Sequence, residues 1–303
     1  MRMERCTQAV LLAMLLAFAM NALRPRNSSG INEGDYWLLK TNSAAIHDIV
    51  LVGDSRIKEG VSPEAMNAIL PSRKILNFAY DAVGLDREYL REAESKLNPA
   101  SPQRLIVIGL TPRALTESAA YQNSFINQTN GTKVTPHTGS FGRAFFAAFA
   151  NPFLAENENA PFFSAGTGDC ENHEFFADGW AAVTKYPEKP LATLEVYRRF
   201  FAELDKVSPR LLKELVDCVA TLTARGIRVV AFRVPAYKAL ADVENNLSGY
   251  DEAALSEQLK HAGAEYLSFD RERYRYFDGS HMQKDSALKF SVDLAHALEK
   301  QGQ

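Results

Sequence analysis

The sequence predicts an α/β domain in which helices cover both faces of a parallel, five-stranded sheet. Its apolar runs are only five to eight residues long, and they alternate with segments that carry helix start and stop signals. Parallel strands need crossover helices, and a sheet covered on both faces has strands that are apolar throughout. With 303 residues, of which 46% are hydrophobic and 23% charged, the chain can bury a substantial core.

Five apolar runs mark the strands, and capping residues mark the helices between them. The predicted strands are residues 48–52, 74–78, 104–110, 227–234 and 265–269. Ser62 and Ser208 each precede a proline, which suits the first position of a helix, and a third helix begins near Asp86. Gly226 suits the left-handed residue that ends the helix after Ser208. Helices are also expected at about 252–262 and at the C-terminus, where the apolar positions are Leu288, Val292, Ala295 and Leu298.

The first 26 residues have the pattern of an export segment. Arg2 and Arg5 precede a nearly unbroken apolar run at residues 9–23. As a helix this run spans about 22 Å, less than the roughly 30 Å of a bilayer core. We therefore expect a cleaved signal peptide or a short membrane anchor at residues 1–26, followed by a single domain at 27–303. An apolar helix docked on that domain is the alternative.

Residues 111–207 interrupt the alternation of strands and helices and are too long for a simple crossover. Twelve of the 18 phenylalanines fall between Phe125 and Phe201. Such an aromatic insertion must bury its side chains, either in a small core of its own or against the main domain, or as an apolar cap over a site. Both readings are open on the sequence alone.

A serine and a histidine follow two different strands of the predicted sheet. Gly53, Asp54 and Ser55 end the first strand, and Asp278 and His281 lie in the loop after the last one. The carboxyl ends of parallel strands meet at one edge, where ligands bind. A hydroxyl becomes a nucleophile when a base takes its proton and a third group orients that base. We therefore expect a triad of Ser55, His281 and Asp278, with a plain turn at Ser55 as the alternative.

On these two blocks the chain resembles the SGNH, or GDSL-like, serine hydrolase superfamily. The nucleophile block is Gly53-Asp54-Ser55, and the base block runs from Asp278 to His281. The resemblance implies a flavodoxin-like three-layer α/β/α sandwich with strand order 2-1-3-4-5. It also implies that the serine attacks an ester carbonyl, that the histidine is the general base and that no cofactor takes part.

The expected oxyanion donors differ from the family pattern. After the second strand, the backbone N–H of Ala82 or Gly84 is the candidate donor. After the third strand, Thr111 stands where the family has an asparagine. Because one lost donor costs about a hundred- to a thousandfold in rate, either Thr111 or an insertion residue replaces it, or the enzyme is slow or specialised.

These departures resemble the branch of the superfamily that moves acyl groups on bacterial cell-envelope glycans. That branch implies an exported, periplasmic or cell-envelope esterase or O-acyltransferase acting on acyl, chiefly acetyl, esters of carbohydrate. Arg56 and Arg233 are candidates for binding an anionic sugar, with surface solvation or a structural ion pair as the alternative. A catalytically weak or inactive glycan-binding module and a non-enzymatic flavodoxin-like domain are the competing functions.

Other features of the sequence exclude some functions. The net charge of -3, with both signs interspersed, argues against a nucleic-acid partner. Residues 169–174 gather metal-capable side chains at a spacing that matches no ligand motif, so we expect a polar loop and no metal. Cys170 and Cys218 are expected to be isolated thiols, with a disulfide between them as the alternative in an exported chain.

Overall fold

A five-stranded parallel sheet forms the centre of the protein, as shown by a computed structural model that describes residues 31–133 and 170–301. Its strands are β1 (Ile49–Val52), β2 (Ile75–Asn77), β3 (Leu105–Leu110), β6 (Arg228–Arg233) and β7 (Glu265–Leu267). Their order is β2-β1-β3-β6-β7, and every neighbouring pair is parallel. The predicted order 2-1-3-4-5 is confirmed. The numbering differs because a separate hairpin contributes β4 (Cys170–Phe175) and β5 (Ala181–Tyr186).

Helices flank the sheet on both faces. In chain order they are α1 (Glu33–Thr41), α2 (Ser55–Gly60), α3 (Pro63–Asn67), α4 (Arg87–Ser95), α5 (Glu117–Tyr121), α6 (Ser124–Lys133), α7 (Leu194–Arg199), α8 (Pro209–Ala224), α9 (Lys238–Leu247), α10 (Glu252–His261) and α11 (Lys284–Gln301).

The side chains of each central strand alternate between two hydrophobic layers. In β1, Val50 and Val52 join the layer formed with α4, α8 and α10, whereas Ile49 and Leu51 join the layer formed with α2, α3 and α11. Successive strand side chains point to opposite faces, so a strand covered on both faces must be apolar at every position. The result is the three-layer α/β/α sandwich that the sequence predicted.

The predicted helix signals occupy their expected places, with one exception in α11. Asp86, Ser62 and Ser208 each accept a hydrogen bond from a backbone N–H in the first turn of their helices. Gly226 has a positive φ of 71° after α8. In α11 Leu288 is 37% exposed, and the buried side is formed by Ala287, Phe290, Leu294, Ala295 and Leu298. At the start of α11 the buried side therefore begins at Ala287 instead of the predicted Leu288. One residue along a helix is a turn of about 100°, so Leu288 lies toward solvent.

The expected polar loop is wrong for residues 170–174, because they form strand β4 of an antiparallel hairpin. The hairpin is anchored at its turn, where Trp180 is 2% exposed and donates from Nε1 to the carbonyl of Glu59. At Gly179, with φ +89°, a Cβ would lie 2.1 Å from the carbonyl oxygen of Asn77, so this close approach requires glycine. Glu171, Asn172 and His173 of β4 are only partly buried, which a strand tolerates, whereas Glu174 is buried and pairs with Lys284 at 2.5 Å.

The described phenylalanines of the insertion pack against the main domain. Phe125 belongs to the hydrophobic layer of α4 and α8, Phe175 packs on Tyr36, and Phe201 packs with Leu240 of α9. For these residues burial in the domain explains the aromatic composition. The insertion also contains the pairs Phe145-Phe146 and Phe162-Phe163, which lie outside the described residues, as does the export segment expected at 1–26.

Two further expectations concern thiols and membrane spans. Cys218 is buried in α8 and Cys170 is partly buried, and both are free cysteines. Across residues 31–133 and 170–301, no helix combines the length and the apolar character that crossing a bilayer requires.

We predict that Gly109→Ala destabilises the protein by about 1–3 kcal/mol through overpacking. A Cβ on Gly109 would lie 2.2 Å from Cγ1 of Ile57 and 2.9 Å from Cγ2 of Val234. Urea unfolding of Gly109→Ala measures the loss in the free energy of unfolding. Gly60→Ala is the control, because nothing lies within 4 Å of a Cβ at Gly60. Equal stability of Gly109→Ala and wild type would contradict this account of how α2 packs on the sheet.

Candidate active site

Ser55 is the first residue of α2, directly after β1 and at the carboxyl edge of the sheet. The preceding Asp54 caps the helix, since its Oδ1 accepts a hydrogen bond of 3.0 Å from the backbone N–H of Arg56. At Gly53, with φ +153°, a Cβ would lie 2.6 Å from Cγ1 of Ile57. The glycine therefore lets the chain turn sharply from strand to helix while Ile57 packs below it. Ser55 is left partly exposed at the sheet edge.

Asp278 and His281 lie in the loop between β7 and α11. The loop is closed by Asp278, whose Oδ1 accepts hydrogen bonds of 2.8 Å from the backbone N–H groups of Ser280 and His281. The carbonyl of His281 in turn accepts from the N–H of Phe277 at 3.0 Å. The Asp-x-x-His spacing thus forms a tight turn that places the carboxylate beside the imidazole.

Ser55, His281 and Asp278 form a continuous chain of hydrogen bonds. The Oγ of Ser55 lies 2.8 Å from Nε2 of His281, and Nδ1 of His281 lies 2.8 Å from Oδ2 of Asp278. These are the distances that a nucleophile, its base and an orienting carboxylate require. The structure therefore brings together the three side chains that the sequence proposed, and their roles remain a prediction.

The pKa of His281 is raised to about 9 by its surroundings. Burial lowers it, but the negative charge of Glu59 and the hydrogen bond and charge of Asp278 outweigh that effect. For Asp278, burial raises the pKa, but the hydrogen bond and charge of His281 and the two loop N–H groups bring it below its ordinary value. The site thus favours an imidazolium next to a carboxylate.

Glu59 is a site residue that the sequence reading missed. It lies one turn after Ser55 on α2, so the two residues share a helix face. The neighbouring Lys58 is buried, with Nζ 3.3 Å from Glu59 Oε1 and 2.7 Å from Asp81 Oδ1. The i, i+4 spacing was visible in the sequence. The spacing did not point to Glu59 because α2 was not predicted as a helix. This helix is six residues long and has Ile57 as its one large apolar residue.

The three candidate oxyanion residues differ in what the structure offers. Ala82 has a positive φ of 45°, an unusual conformation for alanine that turns the chain after β2. Gly84 is buried, and a Cβ there would lie 2.6 Å from Cα of Ala120, so this glycine is needed for close packing on α5. Their predicted roles as backbone donors remain untested.

Thr111 has a different partner from the one expected. It is fully buried, and its hydroxyl donates to Oδ2 of Asp54 at 2.5 Å while accepting from the N–H of Ala114 at 3.2 Å. The hydroxyl proton is directed at the cap of α2 rather than left free for an oxyanion. Thr111 thus holds the residue before the nucleophile in place.

Arg56 and Arg233 share one buried carboxylate. Arg56 Nη2 lies 2.5 Å from Glu244 Oε1, and Arg233 Nη2 lies 3.1 Å from Glu244 Oε2. Glu244 is fully buried and Arg56 is 3% exposed. This geometry matches the structural ion pair that the sequence left open. It leaves Arg56 little access to a sugar in solution.

A second serine–histidine pair lies away from these loops. Ser43 Oγ is 2.7 Å from Nε2 of His47, but the Nδ1 of His47 is buried without a hydrogen-bond partner. Burial lowers the pKa of His47, and the positive charge of Lys74 lowers it further. This pair has the contact of a dyad without the carboxylate that would orient and charge the imidazole.

The described residues offer no obvious metal site. Among residues 31–133 and 170–301, no group of three or more His, Cys, Asp or Glu side chains is placed to hold an ion. His173 instead bonds to Glu171 of the same strand at 2.8 Å.

Comparison with known proteins gives two structural neighbours. One is Est24, a carbohydrate acetylesterase from Sinorhizobium meliloti, with a TM-score of 0.41 and 11% identity over 84% of this chain and 100% of that one. The other, from Streptococcus pneumonia and named provisionally as a platelet activating factor, has a TM-score of 0.38 and 10% identity over 95% of this chain and 99% of that one. No family model and no curated protein sequence matches the chain. What the site does must therefore be judged from its own geometry.

We predict that His281 titrates near pH 9 in the free protein and that Glu59→Gln lowers this pKa, because the variant removes a negative charge that favours the imidazolium. NMR titration of the imidazole signals measures it. Glu94→Gln serves as the control, since Glu94 pairs with Arg225 just before β6, at the opposite edge of the sheet. An unchanged pKa of His281 in Glu59→Gln would rule out Glu59 as part of the site.

Proposed function

We propose that the protein is a serine-dependent esterase or O-acyltransferase in which Ser55 is the nucleophile. The observation that carries this proposal is the hydrogen-bonded chain from Ser55 through His281 to Asp278, which joins segments 226 residues apart. A chance contact between a serine and a histidine does not require a carboxylate on the second nitrogen of the histidine. The same arrangement activates hydroxyl nucleophiles on unrelated folds.

In the proposed reaction the neutral form of His281, which prevails only above its raised pKa of about 9, takes the proton of Ser55 on Nε2 as Oγ attacks the ester carbonyl. Asp278 stabilises the imidazolium that forms and keeps its ring in place. His281 then gives the proton to the leaving alcohol, and an acyl group stays on Ser55. A water molecule or a glycan hydroxyl attacks that acyl group and loses its proton to His281, which passes the proton to Ser55 Oγ as the serine leaves.

The oxyanion of the tetrahedral intermediate needs N–H donors near Ser55. Because Ser55 is the first residue of α2, its own N–H has no acceptor within the helix, while the N–H of Arg56 is already capped by Asp54. We infer that the N–H of Ser55 is one donor and that Ala82 or Gly84 supplies the other. Thr111 supports this site indirectly, through Asp54.

The proposed substrate is an acyl ester, chiefly an acetyl ester, of a cell-envelope or extracellular carbohydrate. Support comes from the resemblance of the Ser55 and His281 blocks to glycan-modifying serine hydrolases. The pattern of residues 1–26 is the basis for proposing export to the periplasm or cell envelope.

We predict that a fluorophosphonate reagent labels the protein at Ser55, and that Ser55→Ala abolishes both labelling and hydrolysis of short-chain aryl esters. The loss of turnover should reach several orders of magnitude, since the triad acts as a unit. The matched control is Ser43→Ala, which removes the other serine in contact with a histidine and should keep full labelling.

Mass spectrometry of the labelled peptide and ester assays on the same samples check both expectations. Labelling that survives Ser55→Ala would contradict the proposal. An unlabelled wild type that binds acetylated glycans would instead favour the glycan-binding module, and acetylated polysaccharides offered with and without acceptor sugars separate hydrolysis from transfer.

A further inference from the structure

Arg56 connects the two segments that carry the proposed nucleophile and base. It follows Ser55 in α2, and its Nε donates to Oγ of Ser280 at 3.0 Å, in the residue directly before His281. The same two segments also meet at the contact of Ser55 with His281 itself. One buried side chain thus spans from the start of α2 to the base loop.

Ser280 is held on more than one side. It is 1% exposed, its Oγ lies 3.1 Å from the hydroxyl of Tyr197 on α7, and its N–H donates to Asp278. The guanidinium of Arg56 also lies 5.4 Å from the centre of the Tyr197 ring. Because Ser280 bonds to Arg56, Tyr197 and Asp278, the loop at residues 278–281 has little freedom to shift relative to α2.

The charge of Arg56 is balanced inside the protein rather than by solvent. Glu244 pairs with it at 2.5 Å, and Arg233 completes the network from β6. Burying an unpaired guanidinium is costly, so the buried position of Arg56 depends on its pairing with Glu244. A planar guanidinium can bond Ser280 through Nε and Glu244 through Nη2 at the same time, which a lysine ammonium cannot do with the same geometry.

We propose that Arg56 is a positioning residue that fixes the distance between Ser55 and His281 by tying the start of α2 to Ser280. The inference rests on the proposed function. It gives Arg56 a positioning role that is separate from the triad and from substrate binding. A shift of about 1 Å between reacting groups can cost on the order of a hundredfold in rate. Arg56 therefore acts on turnover without touching the substrate.

The test compares Ser280→Ala, Arg56→Lys and Arg228→Lys. Ser280→Ala removes the acceptor of Arg56 but leaves the Arg56–Glu244 pair intact, so it tests the tie even if Arg56→Lys folds poorly. Arg228 is the control for loss of an arginine–carboxylate pair, because it bonds Glu265 through Nε and Nη2 at the amino end of β6, away from the site. Urea unfolding gives the stability of each variant, and ester hydrolysis gives kcat and KM.

We expect Ser280→Ala and Arg56→Lys to lower kcat by roughly ten- to a hundredfold, with KM within about twofold of wild type. Arg228→Lys should lose stability and keep its kcat. Wild-type kcat in Ser280→Ala, or an equal loss of kcat in Arg228→Lys, would overturn the inference. The proposed function fails separately, if wild type is inactive or Ser55→Ala stays active.

Discussion

The contact of 2.8 Å between Ser55 and His281 is the interaction on which the proposed chemistry depends. Each residue sits at the carboxyl edge of the same sheet, but they come from opposite ends of the chain. Hydrogen bonds form only within a few tenths of an ångström of their ideal length, so the fold has to fix two distant loops to that tolerance. It does so with a sharp turn at Gly53, a closed loop at Asp278 and the bridge from Arg56 to Ser280.

The charged side chains around the site are arranged in compensated groups. Glu244 faces two arginines, and Lys58 faces Glu59 and Asp81. A pair of this kind adds little net stability compared with apolar packing, but breaking one partner is costly. Such pairs therefore resist rearrangement. This property is more useful around a site, where geometry must be kept, than in a core that only needs to be filled. The charges of Glu59 and Asp278 also give the imidazole its raised pKa.

The sequence predicted what depends on local pattern. The run Ile-Val-Leu-Val in β1 is apolar throughout because both of its faces are covered, and this signal is readable without the fold. The meeting of Ser55 with His281 followed from a rule about strand ends rather than from any contact visible in the sequence. What the sequence did not predict depends on tertiary partners. The polar strand β4 is stabilised by pairing with β5. Arg56 pairs with Glu244, which lies 188 residues away in the chain.

The pair of Ser43 and His47 shows why distance alone does not make a catalytic site. Its contact of 2.7 Å is as short as that of Ser55 with His281. The surroundings differ, because burial and Lys74 lower the pKa of His47, whereas the charges of Glu59 and Asp278 raise that of His281. A base must accept a proton and hold the resulting charge while the substrate reacts. Only His281 of the two has a carboxylate on its second nitrogen to stabilise that charge, so the third residue is what distinguishes the pair proposed to be reactive from the structural one.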